Sequence, residues 1–348
     1  MKFKLLLLSS LLSTAVYAEQ SVPSSKLLES IVPAKAIKRV EPKYPDSAIR
    51  RGHEGWVKLS YVIEPDGSVS NAFVVDSSGL RSFERSTLKA IKKWKFSPAL
   101  DKNGNAIQQC VNSIQMDYSI GRDGKPPGAT RKFRSKYKDI LEAFDTKDFA
   151  KAGQYLDELG ESKKFTLFED KLYWKLKGYY HQYLGDDRNA LTNFKRSAYR
   201  ISDVADESYL TILDTVFVLE LKQNLLADAL ETYATIEKAP NNQKTLERLK
   251  PYQQKITALI ESEEVISVAA TIGERGFAQY KLARSQFELS HINGKVDKVK
   301  VYCDNKQNTF SYATDSSWTI PESWGSCSLY VYGRKDTAFN IVELPKNI

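Results

Sequence analysis

Three histidines and three cysteines are the side chains of this sequence best suited to metal ligation or imidazole base chemistry, and their spacing suits neither. His53, His181 and His291 fall in three different predicted domains, and none has a partner at ligand spacing. Cys110, Cys303 and Cys327 are too few and too scattered for a structural zinc site. No glycine loop that could cradle phosphates is present, and no serine elbow. No metal, cofactor or catalytic residue is therefore expected, and binding is left as the default chemistry. The remaining cysteine chemistry is pairing. Cys303 and Cys327 enclose a loop of about two dozen residues, whose closure would stabilise a small β domain by roughly 3 kcal/mol in an oxidising compartment. Cys110 is then left over as a buried, inert thiol.

The first residues speak to the compartment. Met1 to Lys4 form a short basic region, Leu5 to Val16 an apolar run, and Val16-Tyr17-Ala18 a small-residue site before Glu19, the order of a cleavable secretory signal. Cleavage is expected between Ala18 and Glu19. The alternative is an uncleaved anchor, but a spanning helix needs roughly 20 apolar residues, and this run is shorter and interrupted by Ser9, Ser10, Ser13 and Thr14. The remaining 330 or so residues exceed one ordinary core and predict more than one domain. The formal charge of +8 is spread along the chain, which with export argues against nucleic acid as a partner.

The elements follow from periodicity. Residues 19–35 read as a leader with Pro23 and Pro33. Val57, Leu59, Tyr61 and Ile63 alternate on one strand, and Val69, Phe73 and Val75 are expected inward on the next. Pro65-Asp66-Gly67-Ser68 between them is a hairpin turn. Phe83, Thr87, Ala90, Ile91 and Trp94 then recur at helical spacing, with Arg85, Lys89, Lys92 and Lys93 opposite. A third long strand spans 106–120, with Ile114, Met116, Tyr118 and Ile120 on one face and Ser113, Gln115, Asp117 and Ser119 on the other.

These residues also carry a family resemblance. Glu41-Pro42-Lys43-Tyr44-Pro45, Ala48, Gly52, Gly55-Trp56-Val57, Asp66-Gly67, Phe83-Glu84, Ala90 and Trp94-Lys95-Phe96-Ser97-Pro98 together resemble the C-terminal domain of TonB over residues 36–120. The resemblance implies a two-layer α/β domain that links the energised inner membrane to outer-membrane transporters, pairing by strand addition with a short transporter segment, the TonB box. Tyr44 and Pro45 match the family's Tyr-Pro motif beside that segment. Val111, Asn112, Ser113, Ile114, Gln115, Met116, Asp117 and Tyr118 match the pairing strand. Read from position alone, Tyr44 serves equally as core, and Trp94 points at the sheet. Independently of the resemblance, a small sheet with a helix on one face leaves an edge strand that can accept a partner, or a second copy to form a homodimer. Two departures stand out: the apolar N-terminal run has no His, and no long proline-rich spacer precedes the domain.

Beyond a turn-rich linker at 121–130, the chain reads as helical over 131–262. Trp174, Gly178, Ala190 and Phe194 occupy the large and small positions of a tetratricopeptide unit, with weaker echoes at Ala152 with Leu156 and Ala229 with Tyr233. Over 263–348 the period returns to two, predicting an antiparallel β-sandwich with a hairpin at Asn293-Gly294. The expected fold class is α+β multidomain. Three functions fit: a periplasmic accessory of TonB-dependent transport, peripheral to the membrane; an envelope or cell-wall scaffold; or, if the N-terminus is retained, a membrane-anchored energy transducer. Intact mass after fractionation separates the last from the others. A soluble species beginning at Glu19 is expected, and a membrane-bound species keeping Met1 would overturn the cleaved reading.

Overall fold

The computed structural model describes residues 32–121, 128–161, 165–198, 207–314 and 316–345. The expected signal segment 1–18, its cleavage pair Ala18 and Glu19, and most of the leader lie outside the described residues. The architecture is α+β, with strands at either end of the sequence and helices between.

The first region contains β1 (Lys35–Lys38), α1 (Asp46–Arg50), β2 (Gly55–Ile63), β3 (Val69–Ser77), α2 (Arg81–Ile91), β4 (Lys95–Ser97), β5 (Ala99–Leu100), β6 (Ala106–Ile107) and β7 (Gln109–Tyr118). Its main sheet has the antiparallel order β3-β2-β7. Gly67 lets the β2–β3 turn close: its φ is +74°, and a Cβ there would stand 1.9 Å from the Phe96 carbonyl oxygen. Helix α2 lays Phe83, Thr87, Ala90 and Ile91 against the sheet. On that face Ile91 and Trp94 pack with Leu59, Tyr61 and Ile63.

The inward set expected for β3 is split. Ser70 stands opposite Val62 and Phe73 opposite Ser60, so Asn71 and Ala72 together face Tyr61. This is a bulge, and Asn71 at its centre has φ +48°. The extra residue reverses the alternation. Val69 and Ala72 stay with the helix-side core, whereas Phe73 and Val75 turn to the opposite face, against Tyr302, Tyr330 and Phe277.

Seven helices follow: α3 (Arg131–Asp145), α4 (Phe149–Glu161), α5 (Leu167–Tyr183), α6 (Asp187–Ala198), α7 (Glu207–Lys222), α8 (Leu226–Glu237) and α9 (Gln243–Glu261). Each packs on the next. Thr166 opens α5 with a capping box, its hydroxyl accepting from the Glu169 N–H while the Glu169 carboxylate accepts from the Thr166 N–H. Close approach of α5 and α6 depends on Gly178, where a Cβ would stand 2.6 Å from the Phe194 ring.

The last region holds β8 (Ile266–Thr271), β9 (Phe277–Lys281), β10 (Gln286–Asn293), β11 (Val296–Cys303), β12 (Gln307–Ser311), β13 (Ser317–Thr319), β14 (Cys327–Gly333) and β15 (Ala338–Glu343). They form two antiparallel sheets, β13-β10-β15-β8 and β12-β11-β14-β9. The Asn293-Gly294 turn therefore does not join a paired hairpin: β10 and β11 lie in different sheets. His291 at φ +50° and a register shift between Ser290 and Asn293 lead the chain out of the first sheet, and the Thr337 hydroxyl accepts from the Lys295 N–H as it enters the second. Cys303 and Cys327, directly opposite on β11 and β14, form a disulfide of 2.03 Å.

The helices and these sheets share one core. Phe217, Leu226, Ile236 and Leu249 join the same cluster as Phe287, Val299, Leu329 and Ile341. Arg284 fixes the junction by donating to the carbonyls of Leu259, Ile260, Ser262 and Glu264 at the end of α9. Gly178→Val should lower stability by about 1–3 kcal/mol, because the added methyls meet the fixed Phe194 ring. Urea unfolding monitored by circular dichroism reads this; an unchanged midpoint would contradict the close approach.

Candidate partner-binding edge

Among the described residues, β7 is bonded to β2 on one side and to no strand on the other. At its start Cys110 turns its N–H away from β2 and donates to the Asp304 carbonyl at 3.0 Å. Asn112 and Ser113 together face Ser60, a second bulge. Antiparallel alternation carried along β2 then turns the N–H and C=O of Gln115 and Asp117 away from β2 as well, since Lys58 and Trp56 opposite them share the parity of Val62 opposite Cys110. The Trp56 carbonyl accepts from Ser78 N–H on the other side, as this parity requires. The main-chain groups of Gln115 and Asp117 thus face the side of β7 opposite β2.

The expected site residues distribute around this edge unevenly. Val111, Ile114 and Met116 pack toward the helix-side core. Tyr118 is buried, its hydroxyl 2.8 Å from Thr87 Oγ1. Gln115 is buried and donates from its amide to Asp117 Oδ1 at 2.7 Å, while Ser113 and Asp117 are exposed. The Asn112 carbonyl accepts from the Ser60 hydroxyl. Tyr44 meets only the far end of the strand, with its ring edge-on to Phe83 and Tyr118 at 5.5 and 5.4 Å. Its hydroxyl donates to the His53 carbonyl at 2.6 Å, and burial, then Glu54, pushes that hydroxyl up to about 12. The Pro45 carbonyl accepts from the N–H groups of Ala48 and Ile49 in α1. Trp94 is buried and donates to the Val40 carbonyl at 2.9 Å.

The sheet face away from α2 is covered by the other two regions. Val62, Cys110, Tyr302 and Tyr330 form one buried cluster, and burial pushes the Cys110 thiol up to about 12. Beside it, Trp56 donates to Asp170 Oδ2 at 2.7 Å and Trp174 to Oδ1 at 3.1 Å. Arg196 grips Asp76 with two bonds of 2.8 Å and lies 4.4 Å over the Trp174 ring. Glu54 accepts from the N–H groups of Ile120 and Leu167, tying the end of β7 to the start of α5. Arg275 reaches Glu84 at 2.8 Å, and Lys281 reaches Glu231 at 2.7 Å. Each of the three regions is therefore bonded to the other two.

Between them lies a cavity of about 2100 Å³, lined by Gln109 to Ser113 and Gln115 of β7, by α5 to α8, and by Phe277 to Lys281 of β9. Consecutive residues of β7 line it, as an edge does and a face does not. Lys195 sits in its wall between Glu220 at 2.7 Å and Asp228 at 2.8 Å. Asp304 Oδ2 accepts from the Ser326 N–H, and Glu274 pairs with Lys335. No group of three or more His, Cys, Asp or Glu among the described residues could hold a metal ion. No helix among them is long and apolar enough to cross a membrane.

The sequence is matched over residues 40–120 by the family described as the Gram-negative bacterial TonB protein C-terminal. Residues 40–120 form a TonB C-terminal domain. Proteins of the TonB family are not enzymes. Protein tonB2 of Pseudomonas aeruginosa is 37% identical over 79 residues, which are 23% of this chain and 28% of that protein. Protein TonB of Vibrio cholerae is 37% identical over 81 residues, 23% of this chain and 33% of that protein. The chain thus spans about a third or less of the length of these relatives. The solution NMR structure of the Pseudomonas aeruginosa TonB C-terminal domain aligns with 29% identity over 26% of this chain and 88% of that one, at a TM-score of 0.23.

Asp76, Asp170 and Arg196 escaped sequence reasoning. Each sits at a position that local pattern marks as ordinary solvated surface, and only the packing of the TonB C-terminal domain on α5 and α6 brings them together. Burial raises the Asp170 carboxyl to about 6, against the two indole donors that favour its charge. Because the folded state then holds a proton that the unfolded state releases near its ordinary value, this group's contribution to stability falls as pH rises from about 4 to about 6. Across that window, wild type should lose up to about 3 kcal/mol relative to Asp170→Asn. Urea midpoints at pH 4 and pH 7 for both proteins test it; parallel pH profiles would refute the raised value.

Proposed function

We propose that this chain is an exported, periplasmic protein of TonB type, accessory to TonB-dependent outer-membrane transport, that captures an extended transporter segment by strand addition at β7. The observation that carries the reading is the β7 edge, which among the described residues pairs with no strand on the side away from β2, within a TonB C-terminal domain. On this reading Tyr44 and Pro45 shape the loop beside the Tyr118 end of the edge, and do not line its whole length. The helices serve as divergent tetratricopeptide-like pairs, and the last strands as a β-sandwich that braces the sheet from behind. The small residues Gly178 and Ala190, set against Phe194, support the repeat reading.

Strand addition is a backbone interaction, so its strength is bounded. Four main-chain bonds at about 1 kcal/mol each amount to a dissociation constant near the millimolar range. Useful affinity then requires side-chain contacts beyond the edge. Asp117→Pro isolates the backbone part: it deletes an N–H that points away from β2, and proline is tolerated where the ladder does not need the donor. Titration calorimetry with a synthetic TonB-box peptide should show about tenfold weaker binding, with the unfolding midpoint little changed. Unaltered affinity in this variant would exclude β7 as the pairing strand.

A further inference from the structure

Helix α2 buries Phe83, Thr87, Ala90 and Ile91 against the sheet. On its opposite side Arg81, Arg85, Lys89 and Lys92 recur at spacings of four, four and three, and all are exposed. The last region closes the sheet from its far face, so this row points away from the shared core. Lys95 continues it onto β4, with Lys38 of β1 directly opposite. Nothing in the fold asks for such a row. Like charges at i,i+4 oppose a helix, and Arg81 sits at the N-terminal end, where a cation opposes the macrodipole. Neighbouring carboxylates do not balance it: residues 35–51 and 81–95 hold twelve Lys and Arg against Glu41, Asp46 and Glu84. Asp46 is paired with Lys43 at 3.6 Å and Glu84 with Arg275 at 2.8 Å, which leaves Glu41. Among the described residues, Arg85, Lys89 and Lys92 make no ion pair. An aliphatic side chain stands open at the margin of the same surface: Ile37 is the extra residue of a bulge between Ala36 and Lys38 and is 72% exposed.

We propose that the α2 face of the TonB C-terminal domain docks on a bilayer surface of anionic phosphate headgroups, through Arg85, Lys89 and Lys92 with Ile37 at its margin. A basic row bordered by an exposed aliphatic residue is the composition of a surface that rests on lipid headgroups. A second copy of this chain would bring charge of the same sign, and a carboxylate-rich protein would meet the charge but not Ile37. The inference is independent of strand addition, since α2 lies over one face of the sheet and β7 at its margin. Each cation that reaches the headgroup layer strengthens binding roughly fivefold, and only within a Debye length of it.

The experiment uses the full chain and vesicles of phosphatidylcholine, pure or mixed with phosphatidylglycerol, with binding read by co-sedimentation at physiological salt. The mixed vesicles should bind and the pure ones should not. Arg85→Gln combined with Lys89→Gln should weaken binding about thirtyfold. Its urea midpoint should be unchanged or raised, because a like-charge pair is removed. Lys250→Gln combined with Lys255→Gln takes the same charge from exposed positions on α9 and should leave binding nearly unchanged. An equal loss in the two double variants would mark a net-charge effect and overturn the proposal, as would equal binding to both kinds of vesicle. Poly-glutamate is the third probe. If it binds the wild type through Arg85 and Lys89 while the mixed vesicles do not bind, the face serves an acidic protein and the lipid reading falls.

Discussion

A three-stranded sheet needs both faces covered, and α2 covers one. The other face is closed from outside the domain: Val62, Phe73, Val75 and Cys110 press against Phe277, Tyr302 and Tyr330 of the last β region. That aromatic contact decides the rest. It converts a half-exposed sheet into a central layer, sets the last β region beside the start of β7, and brings α5 and α6 close enough for Trp56 and Asp76 to find Asp170 and Arg196. Phe73 meets Tyr330 edge-on at 4.9 Å and Phe277 edge-on at 5.8 Å, the favourable arrangement for aromatic quadrupoles.

The polar contacts around this layer have a different role from the aromatic ones. Partly exposed pairs such as Arg275 with Glu84 contribute little net stability, since desolvation and side-chain entropy offset their attraction. Their geometry fixes orientation instead. Arg196 with two bonds to Asp76 permits one approach of α6 to β3, and Arg284 with four carbonyls permits one exit of the chain from α9 into the sheets. Shape is thus specified by donors that would be stranded if the regions moved apart.

Local rules made much of this legible. Alternation along β2 and β7, the 3.6 period of α2, the Gly67 turn and the Gly178 position could all be read because each is decided within a few residues of the chain. What was not legible depends on partners far away. The bulge at Asn71 flips Phe73 toward a face that, in the sequence, has nothing to face. Asn293-Gly294 is a good turn, yet whether its strands pair depends on β14 and β15, which claim β11 and β10. Asp170 reads as one more charge in the first turn of a helix, where acids are ordinarily favourable, and becomes a buried acceptor only once Trp56 arrives. The β7 edge was visible as a strand; that it borders a cavity shared by all three regions was not.

The bond from the Cys110 N–H to the Asp304 carbonyl bears on self-association. An unpaired strand is a template on which identical molecules can stack without limit, sheet joined to sheet. Here the template is truncated by the molecule's own chain: the carbonyl of Asp304 fills the place that the next molecule's backbone would take, and the bulge at Asn112 and Ser113 breaks the run beyond it. A single hydrogen bond to the molecule's own chain thus closes the start of this edge to sheet extension.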